Sequence, residues 1–366
     1  MRILHINCNY IGNALHQLMV EKLDQLGYDN RVFVPVHGKE WLATEPNENV
    51  CICKCFEQWD RLVFDYKQHK IFKAIQQNYD VKEFGLIHAY TLFTDGNCAR
   101  KLSKKYGIPY VVAVRNTDVN GFFRKMPHLR KRGVKIMLDA EKVFFLSEAY
   151  RKQVFEKYIP RKYWIAIEAK THIVPNGVDD FWFENLPNCE NELKTPIKLL
   201  FAGRIDRNKN VPTTQKAIEI LRERGYDLSL TVAGLIEEQK EFERIQQDPY
   251  TQCVAARPKE ELITLYREHN IFVMPSFTES FGLVYVEAMS QGLPVIYSKG
   301  QGFDGQFPEG QVGYRVDAYD ASDVADGIEK AIQNYGAIKK NAIESAKRFN
   351  WTEISAVYDS IYKAIK

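Results

Sequence analysis

Short runs of apolar residues alternate with longer stretches of helical pattern along most of the chain. A short apolar run bounded by turn residues predicts a buried strand. The predicted strands are Ile3–Ile6, Arg31–Val36, Leu86–Ala89, Tyr110–Val114, Lys142–Leu146, Ile173–Val174, Ile197–Ala202, Ser229–Ala233, Ile271–Met274 and Pro294–Tyr297. Because strands that alternate with helices form parallel sheets covered on both faces, the sequence predicts an α/β protein.

The rhythm of strands and helices pauses after Val174 and resumes at Ile197, which predicts a boundary between two domains. A chain of 366 residues is long enough for two domains of ordinary size. We predict one Rossmann-like domain at residues 1–176 and a second at residues 177–351. The final stretch, residues 352–366, carries apolar residues at helical spacing and predicts an amphipathic helix.

Composition narrows the class of protein. Hydrophobic residues make up 45% of the chain and charged residues 27%, as in globular proteins. The formal net charge of +3 is too small to predict nucleic-acid binding. Seven cysteines, an odd number without framework spacing, predict a reducing compartment. The start has no signal-peptide pattern and no apolar window approaches the ~18 residues of a spanning helix, so we predict a soluble, cytoplasmic protein.

Three cysteines, Cys51, Cys53 and Cys55, alternate along one strand-like run. Zinc sites usually have two or more residues between their thiolates, so this spacing favours one face of an edge strand over a metal site. We therefore predict no metal site here.

A polar turn follows the predicted strand Ile271–Met274 and leads into a predicted helix over about Leu283–Gln291. The first backbone N–H groups of a helix have no partner within the helix, and they favour anions. Such groups near Phe281, Gly282 and Leu283 predict a phosphate-binding turn.

Two glutamates, Glu279 and Glu287, accompany this turn. Glu287 lies about one turn into an apolar helix, where a carboxylate is costly unless hydroxyls or a cation satisfy it. Phosphate donors beside carboxylates that accept from hydroxyls describe a nucleotide-sugar pocket. The alternative for Glu279 is a solvated loop carboxylate or a helix cap.

A basic turn follows the predicted strand Ile197–Ala202 and begins at Gly203. Ligands of open α/β sheets bind outside the carboxyl ends of the strands, so Arg204 and Lys209 can reach one pocket. Two cations beside a diphosphate would stabilise the charge that builds as a sugar–phosphate bond breaks. The alternative is a solvated basic turn.

Residues 279–287 resemble the glutamate–seven residues–glutamate motif of retaining glycosyltransferases of family 4, which have the GT-B fold. Residues 201–211 are similar to the donor-phosphate segment of that family, and residues 174–179 to its interdomain connection. The resemblance covers nearly the whole chain in outline and is most specific over residues 173–295. It implies two Rossmann-like domains with a cleft between them, and a final helix that crosses back to the N-terminal domain.

The resemblance also implies the roles of the two domains. The C-terminal domain would hold a nucleotide diphosphate sugar as donor substrate, with Glu287 accepting from the ribose hydroxyls and Glu279 near the donor sugar. The N-terminal domain would recognise a carbohydrate or lipid-linked acceptor. No metal or other cofactor is expected, because Arg204, Lys209 and the helix N-terminus already supply positive charge.

The N-terminal domain departs from the family pattern at one position. Arg115 stands where a histidine is usual, whereas Asp118 matches. An arginine cannot serve as a base near neutral pH, but it can hold a phosphate or an acidic sugar. His88 resembles a family position that faces the cleft, with a structural histidine as the alternative. Gly12, in the first strand-to-helix turn, would let a ligand approach the backbone, or would serve as a plain tight turn.

A basic stretch, Arg124–Lys135, contains no acidic residue. The aromatic residues directly before it, Phe122 and Phe123, are expected to be exposed. The stretch predicts either contact with an anionic membrane surface beside a lipid-linked acceptor or a solvated loop and helix face.

The sequence as a whole predicts a retaining glycosyltransferase of polysaccharide or glycolipid biosynthesis. One alternative is a nucleotide-sugar 2-epimerase or phosphorylase on the same fold. The other is a nucleotide-sugar-binding protein that has lost activity, which the arginine at position 115 motivates.

Overall fold

The computed structural model describes residues 1–11, 14–38, 48–187, 193 and 195–365. It divides the chain into two compact units. Unit 1 consists of Met1–Pro175 together with Trp351–Lys366, and unit 2 is Asn176–Asn350. Each unit is built on an open parallel sheet, which confirms the predicted α/β class. Gly12 lies outside the described residues.

The sheet of unit 1 has seven strands among the described residues. They are β1 Arg2–Ile6, β2 Asp29–Val36, β3 Val50–Lys54, β4 Leu86–Ala89, β5 Tyr110–Val114, β6 Lys142–Phe145 and β7 Thr171–Ile173. Their spatial order is β3-β2-β1-β4-β5-β6-β7, and neighbouring strands pair in parallel. The carboxyl ends of these strands therefore meet at one edge.

Helices cover both faces of this sheet. They are α1 Ala14–Gln25, α2 Phe64–Asn78, α3 Thr94–Tyr106, α4 Arg130–Asp139, α5 Glu148–Tyr158 and α6 Trp164–Glu168. Helix ends follow local chemistry: the Ser147 hydroxyl accepts from the Tyr150 N–H at 3.3 Å at the start of α5. Gly107, in the left-handed region with φ of 76°, ends α3. The main core lies between the sheet and helices α2 to α6.

Unit 2 repeats the design around a six-stranded parallel sheet of order β10-β9-β8-β11-β12-β13. Its strands are β8 Ile197–Ala202, β9 Leu228–Gly234, β10 Thr251–Ala255, β11 Ile271–Met274, β12 Val295–Ser298 and β13 Gly313–Val316. Its helices are α7 Phe181–Glu184, α8 Val211–Glu223, α9 Gln239–Ile245, α10 Lys259–Glu268, α11 Leu283–Ser290, α12 Ala321–Gln333 and α13 Tyr335–Ala346. The central strands β8, β11 and β12 are almost wholly buried.

The last helix, α14 Trp351–Lys363, belongs to unit 1 and packs against α1. The Tyr28 hydroxyl donates to Asp359 Oδ1 at 2.7 Å. The Tyr362 hydroxyl lies 2.7 Å from His88 Nδ1. Trp351, at the start of the helix, is buried. Unit 1 is therefore assembled from both ends of the chain.

Candidate functional site

In unit 2, Lys209 and Glu279 meet at the carboxyl ends of β8 and β11. The Lys209 ammonium lies 2.6 Å from Glu279 Oε2, although the two residues are far apart in sequence. Their side chains are only 14% and 12% exposed. The structure thus brings together two of the predicted catalytic residues in a little-exposed ion pair.

The Asn208 side chain holds the two loops of this ion pair against each other. Asn208 Nδ2 donates to the Thr278 carbonyl at 2.9 Å. Asn208 Oδ1 accepts from the Thr278 N–H at 3.1 Å and from its hydroxyl at 2.6 Å. Asp206 Oδ1 accepts from the Lys209 N–H at 2.9 Å and fixes the basic turn. Sequence reasoning missed Asn208, whose signal was its place between Gly203 and Lys209.

The Glu279 backbone is held from a third loop. Its N–H donates to Gln301 Oε1 at 3.1 Å, and its carbonyl accepts from the Gly302 N–H at 3.1 Å. A Cβ on Gly302 would lie 1.8 Å from the Ser280 carbonyl oxygen, so the close approach of the two loops requires glycine there. Three loops therefore fix the position of this carboxylate.

Helix α11 begins beside Glu279 at Leu283, as predicted, and its cap residue Gly282 has φ of 80°. A Cβ on Gly282 would lie 2.3 Å from the Tyr285 ring, so both the backbone angle and the space favour glycine. Phe281 is buried and Leu283 is half-buried. The start of α11 thus directly follows the loop that carries Glu279.

Arg204 and Gly203 follow β8 as predicted, but Arg204 is more loosely held than Lys209. The Arg204 side chain is 58% exposed and lies 3.7 Å from Asp206 and 3.9 Å from Glu237. A Cβ on Gly203 would make only ordinary contacts, the nearest at 3.6 Å. The tight position is Gly234 at the end of β9, where a Cβ would lie 1.6 Å from the Gly203 carbonyl oxygen.

Glu287 lies half-buried on α11, and Tyr266 of α10 donates its hydroxyl to Glu287 Oε2 at 3.2 Å. Burial raises the pKa of the Glu287 carboxyl to about 7; the Tyr266 hydrogen bond opposes this rise and the charge of Asp179 adds to it. Asp179 itself is paired with Lys259 at 2.5 Å. Tyr266 and Lys259 were missed, because nothing in the sequence distinguishes them from other residues of α10.

Asp118 of unit 1 is buried and is bound by backbone groups. Its carboxylate accepts from the N–H groups of Leu92, Phe93 and Arg115 at 2.9, 3.1 and 2.9 Å. Burial nevertheless raises the pKa of this carboxyl to about 6. The side chain therefore ties the loop after β4 to the loop after β5.

Arg115 is 8% exposed, and its Nε donates to the Tyr90 carbonyl at 3.3 Å. Its side chain also hydrogen-bonds Tyr358 of α14. Burial, with a smaller contribution from the Arg115 charge, lowers the pKa of His16 to about 3. The arginine that replaces the usual histidine thus contacts core groups of unit 1.

His88 is fully buried on β4, opposite His5 of β1. Its ring stacks on Tyr90 with centroids 4.3 Å apart, and burial lowers its pKa well below the usual value. With Tyr362 at its Nδ1, His88 is placed as a core histidine, the structural alternative for this residue.

The basic stretch Arg124–Lys135 is only partly exposed. Arg130 Nε donates to the Phe123 carbonyl at 2.7 Å, and Arg132 forms an ion pair with Asp65. Phe123 is buried, so the expectation of exposed aromatic residues here was wrong for that residue; its ring stacks on Tyr158 inside the unit. The exposed basic residues are Arg124, Lys125, Lys131 and Lys135.

Cys51 and Cys53 lie on β3, an edge strand, and Cys55 directly follows it. Among the described residues, no group of three or more histidine, cysteine, aspartate or glutamate side chains is arranged to hold a metal ion. Over the same residues, no helix has both the length and the apolar character needed to cross a membrane.

Comparison with known proteins gives concordant results. Residues 183–349 match the sequence family described as glycosyl transferases group 1. A D-inositol 3-phosphate glycosyltransferase from Pseudarthrobacter chlorophenolicus is 33% identical over 306 residues, covering 77% of this chain and 71% of the relative. Such relatives favour glycosyl transfer over the epimerase, phosphorylase and inactive alternatives.

Solved structures show the same fold. Sucrose-phosphate synthase from Thermosynechococcus elongatus matches with a TM-score of 0.75 at 18% identity, over 99% of this chain and 98% of that chain. Anabaena HepE in complex with UDP matches with a TM-score of 0.73 at 17% identity, over the full length of both chains. The predicted GT-B fold is confirmed. We conclude that this chain belongs to glycosyltransferase family 4 and is a GT-B glycosyltransferase that uses a nucleotide-sugar donor.

Proposed function

We propose that unit 2 binds the donor around the Lys209–Glu279 ion pair, the observation that carries the assignment. Lys209 and Arg204 hold the diphosphate together with the backbone at Phe281, Gly282 and Leu283. An ammonium has three N–H donors, so Lys209 can contact Glu279 and a phosphate oxygen at the same time.

The sugar and the nucleoside are assigned to the two glutamates. Glu287 accepts from the ribose hydroxyls, which supply the donors that a half-buried carboxylate needs. Glu279, fixed by three loops, orients the donor sugar and shares its developing positive charge. The solved Anabaena relative contains UDP, and another form of it contains UDP-glucose, so we propose a uridine diphosphate sugar as the first donor class.

The reaction is transfer with retention of the anomeric configuration. The bond between the anomeric carbon and the diphosphate oxygen breaks, and the acceptor oxygen forms its bond to the same carbon from the same face. The acceptor proton passes to the leaving phosphate oxygen, so no protein nucleophile is required. Lys209 and Arg204 stabilise the charge that develops on the diphosphate.

Unit 1 is proposed to bind the acceptor, a carbohydrate or a lipid-linked sugar. Asp118 and Arg115 act there as positioning residues, because their contacts are to backbone and core groups. We also propose that the protein works in the cytoplasm, which is consistent with the free thiols of the described cysteines. We further propose that the exposed basic residues of Arg124–Lys135 contact an anionic membrane.

The donor assignment is tested with Lys209→Met and the control Arg207→Gln, an exposed cation of the same turn. UDP at 100 times its Kd should stabilise the wild type by about 2.7 kcal/mol in thermal unfolding. Lys209→Met should lower turnover by roughly 10²–10³ and weaken UDP binding. Arg207→Gln should do neither.

A second variant separates charge pairing from catalysis. Lys209→Met leaves the Glu279 carboxylate without its cation. The double variant Lys209→Met/Glu279→Gln also replaces that carboxylate with a neutral amide, so no charge is left unpaired. The double variant should regain stability without regaining turnover. Near-full turnover of Lys209→Met at saturating donor would reject the proposed role.

A further inference from the structure

Unit 1 contains a pocket of about 480 Å³ that none of the roles assigned above uses. It opens at the carboxyl ends of the strands: Cys8 follows β1, His37 follows β2, Phe56 follows β3 and Thr117 follows β5. Ligands of open parallel sheets bind at this edge. A volume of this size suits a small-molecule ligand.

One side of the pocket is apolar. Phe64 and Phe122 line it with their rings edge to face, centroids 5.9 Å apart. Leu62 and Met126 also line it and remain exposed, at 79% and 38%. Exposed apolar side chains grouped around a pocket indicate a binding surface for an apolar group.

The charged side chains that line the pocket, Arg61 and Lys67, are both basic, and the described lining contains no aspartate or glutamate. His37 and His128 add imidazole rings to the lining. The hydroxyls of Thr94 and Thr117 add hydrogen-bonding groups. This set suits a ligand group with several acceptor oxygens and negative charge.

Among these residues, Lys67 gives the strongest indication that the pocket binds an anion. Its ammonium lies 4.5 Å from the centroid of the Phe56 ring, and it makes no ion pair with any residue that the structure describes. Burial lowers its pKa, an effect that the nearby Cys8 and Asp95 oppose. Asp95 is buried and accepts from the Thr91 hydroxyl at 2.9 Å. A partly desolvated ammonium without an ion-pair partner favours an anion in the pocket.

We propose that this pocket binds the acceptor as an anionic amphiphile, a phosphate ester whose phosphate contacts Lys67 and Arg61 and whose apolar part packs on Phe64 and Phe122. Phosphate matches the cations, imidazoles and hydroxyls because it has several acceptor oxygens and up to two charges. The inference rests on the proposed function, in which unit 1 holds the acceptor. Two sources share this chemistry, a phospholipid-like acceptor and a free aryl or alkyl phosphate.

Calorimetric titration of the full chain tests the pocket with phenyl phosphate and with lysophosphatidic acid below its micellar concentration. Lys67→Met should lower the affinity for both probes about tenfold or more. Lys73→Met is the matched control, an exposed lysine on the same helix outside the pocket, and it should leave both affinities unchanged. Arg61→Gln alters an exposed residue, so it tests the same contact without risk to folding.

The two probes separate the sources. Much tighter binding of lysophosphatidic acid supports a lipid acceptor, whereas similar affinities support a free phosphate ester. Affinities of Lys67→Met and Arg61→Gln within twofold of the wild type would overturn the proposal.

Titration of the same proteins with UDP measures binding at the proposed donor site separately. UDP affinity should not change in Lys67→Met, because that variant alters unit 1. Loss of phosphate-ester binding with UDP binding intact supports the pocket. Absence of UDP binding in the wild type would contradict the donor assignment and would leave the phosphate-ester result to stand by itself.

Discussion

At the scale of single residues, Glu287 shows how burial changes what a carboxyl group does. Its raised pKa, about 7, places its ionisation near neutral pH, whereas an ordinary glutamate is ionised there. The sequence identified Glu287 as a costly carboxylate in an apolar helix. It could not identify Tyr266 as the hydroxyl that partly satisfies it, because the two residues lie on different helices.

The pH dependence of stability should reveal this carboxyl. Between about pH 4.5 and 7 the folded protein keeps a proton that the unfolded chain releases, so the Glu287 contribution to stability is full below that range and is lost as pH rises through it. Glu287→Gln lacks this loss. From the lower to the upper end of the range, its free energy of unfolding should rise by roughly 3 kcal/mol relative to wild type.

Denaturant unfolding at several pH values measures this difference. Glu268→Gln, an exposed glutamate of α10, is the control and should follow the wild type. UDP affinity gives a second readout: it should increase through pH 7 in the wild type, as the carboxylate forms, and stay lower and flat in Glu287→Gln. A stability difference that does not vary with pH would contradict the raised pKa.

For the Lys209–Glu279 pair, the sequence predicted the two residues but not the contact between them. The sequence indicated both residues from their strand-end positions and from the resemblance. It did not indicate that they contact each other in the free protein, because that contact depends on how Asn208 and Asp206 fold the basic turn. For Arg115 the sequence left its role open, and the contacts to Tyr90 and Tyr358 came only from the structure.

At the scale of elements, each predicted strand overlaps an observed one, whereas β10 and β13 were not predicted. Both lie at sheet edges and are only partly buried, and neither sequence carries the apolar run that predicts a buried strand. For β3, the alternating cysteines were the sequence pattern that predicted an edge strand. Central strands were predictable because burial on both faces selects apolar residues at most positions.

Asn210 connects several loops of unit 2, and the sequence analysis did not identify it. It begins α8 with φ of 60°, and its Nδ2 donates to the carbonyls of Pro275 and Ala318 at 2.9 and 2.7 Å. These bonds join the turn after β8 to the chain segments that follow β11 and β13. The residue therefore supports the loop that carries Lys209.

Two substitutions at this position separate the backbone effect from the side-chain effect. Asn210→Gly keeps the left-handed backbone and should cost about 1–3 kcal/mol through the two carbonyls it leaves unpaired. Asn210→Ala should cost about 1 kcal/mol more, since a Cβ is strained at positive φ. Chemical denaturation measures both, and equal losses would show that the backbone angle is unimportant.

At the scale of the whole molecule, the resemblance predicted the GT-B fold, and relatives and solved structures confirmed it. Periodicity alone gave two parallel α/β regions. The prediction that the final helix returns to the first unit came from the resemblance. The amphipathic pattern shows that a helix has an apolar face, but it does not show which part of the protein that face packs against. The contacts of α14 with Tyr28 and His88 supply that information.

The proposed membrane contact depends on the exposed charges of unit 1, and the structure shows which basic residues should be replaced to test it. Replacing Arg124, Lys125, Lys131 and Lys135 with serine should weaken sedimentation with anionic vesicles, since each basic residue near such a surface contributes about 1 kcal/mol. Arg130 and Arg132 are kept, because both make contacts within unit 1. Added salt should weaken binding of the wild type.

The control replaces exposed basic residues elsewhere in unit 1 with serine: Lys73, Lys82, Arg161 and Lys162. This control should sediment like the wild type. Wild-type protein that stays entirely in the supernatant at low ionic strength would rule out the membrane contact.

The use of both chain ends in unit 1 has a consequence for synthesis on the ribosome. Unit 2 is one continuous segment, so all of its residues have been translated once Asn350 is added. Unit 1 begins first, yet it still lacks the helix whose Tyr362 reaches His88. The unit that is translated second is therefore the first to have all of its residues, and the core of the nascent first unit gains helix α14 only after unit 2 has been translated.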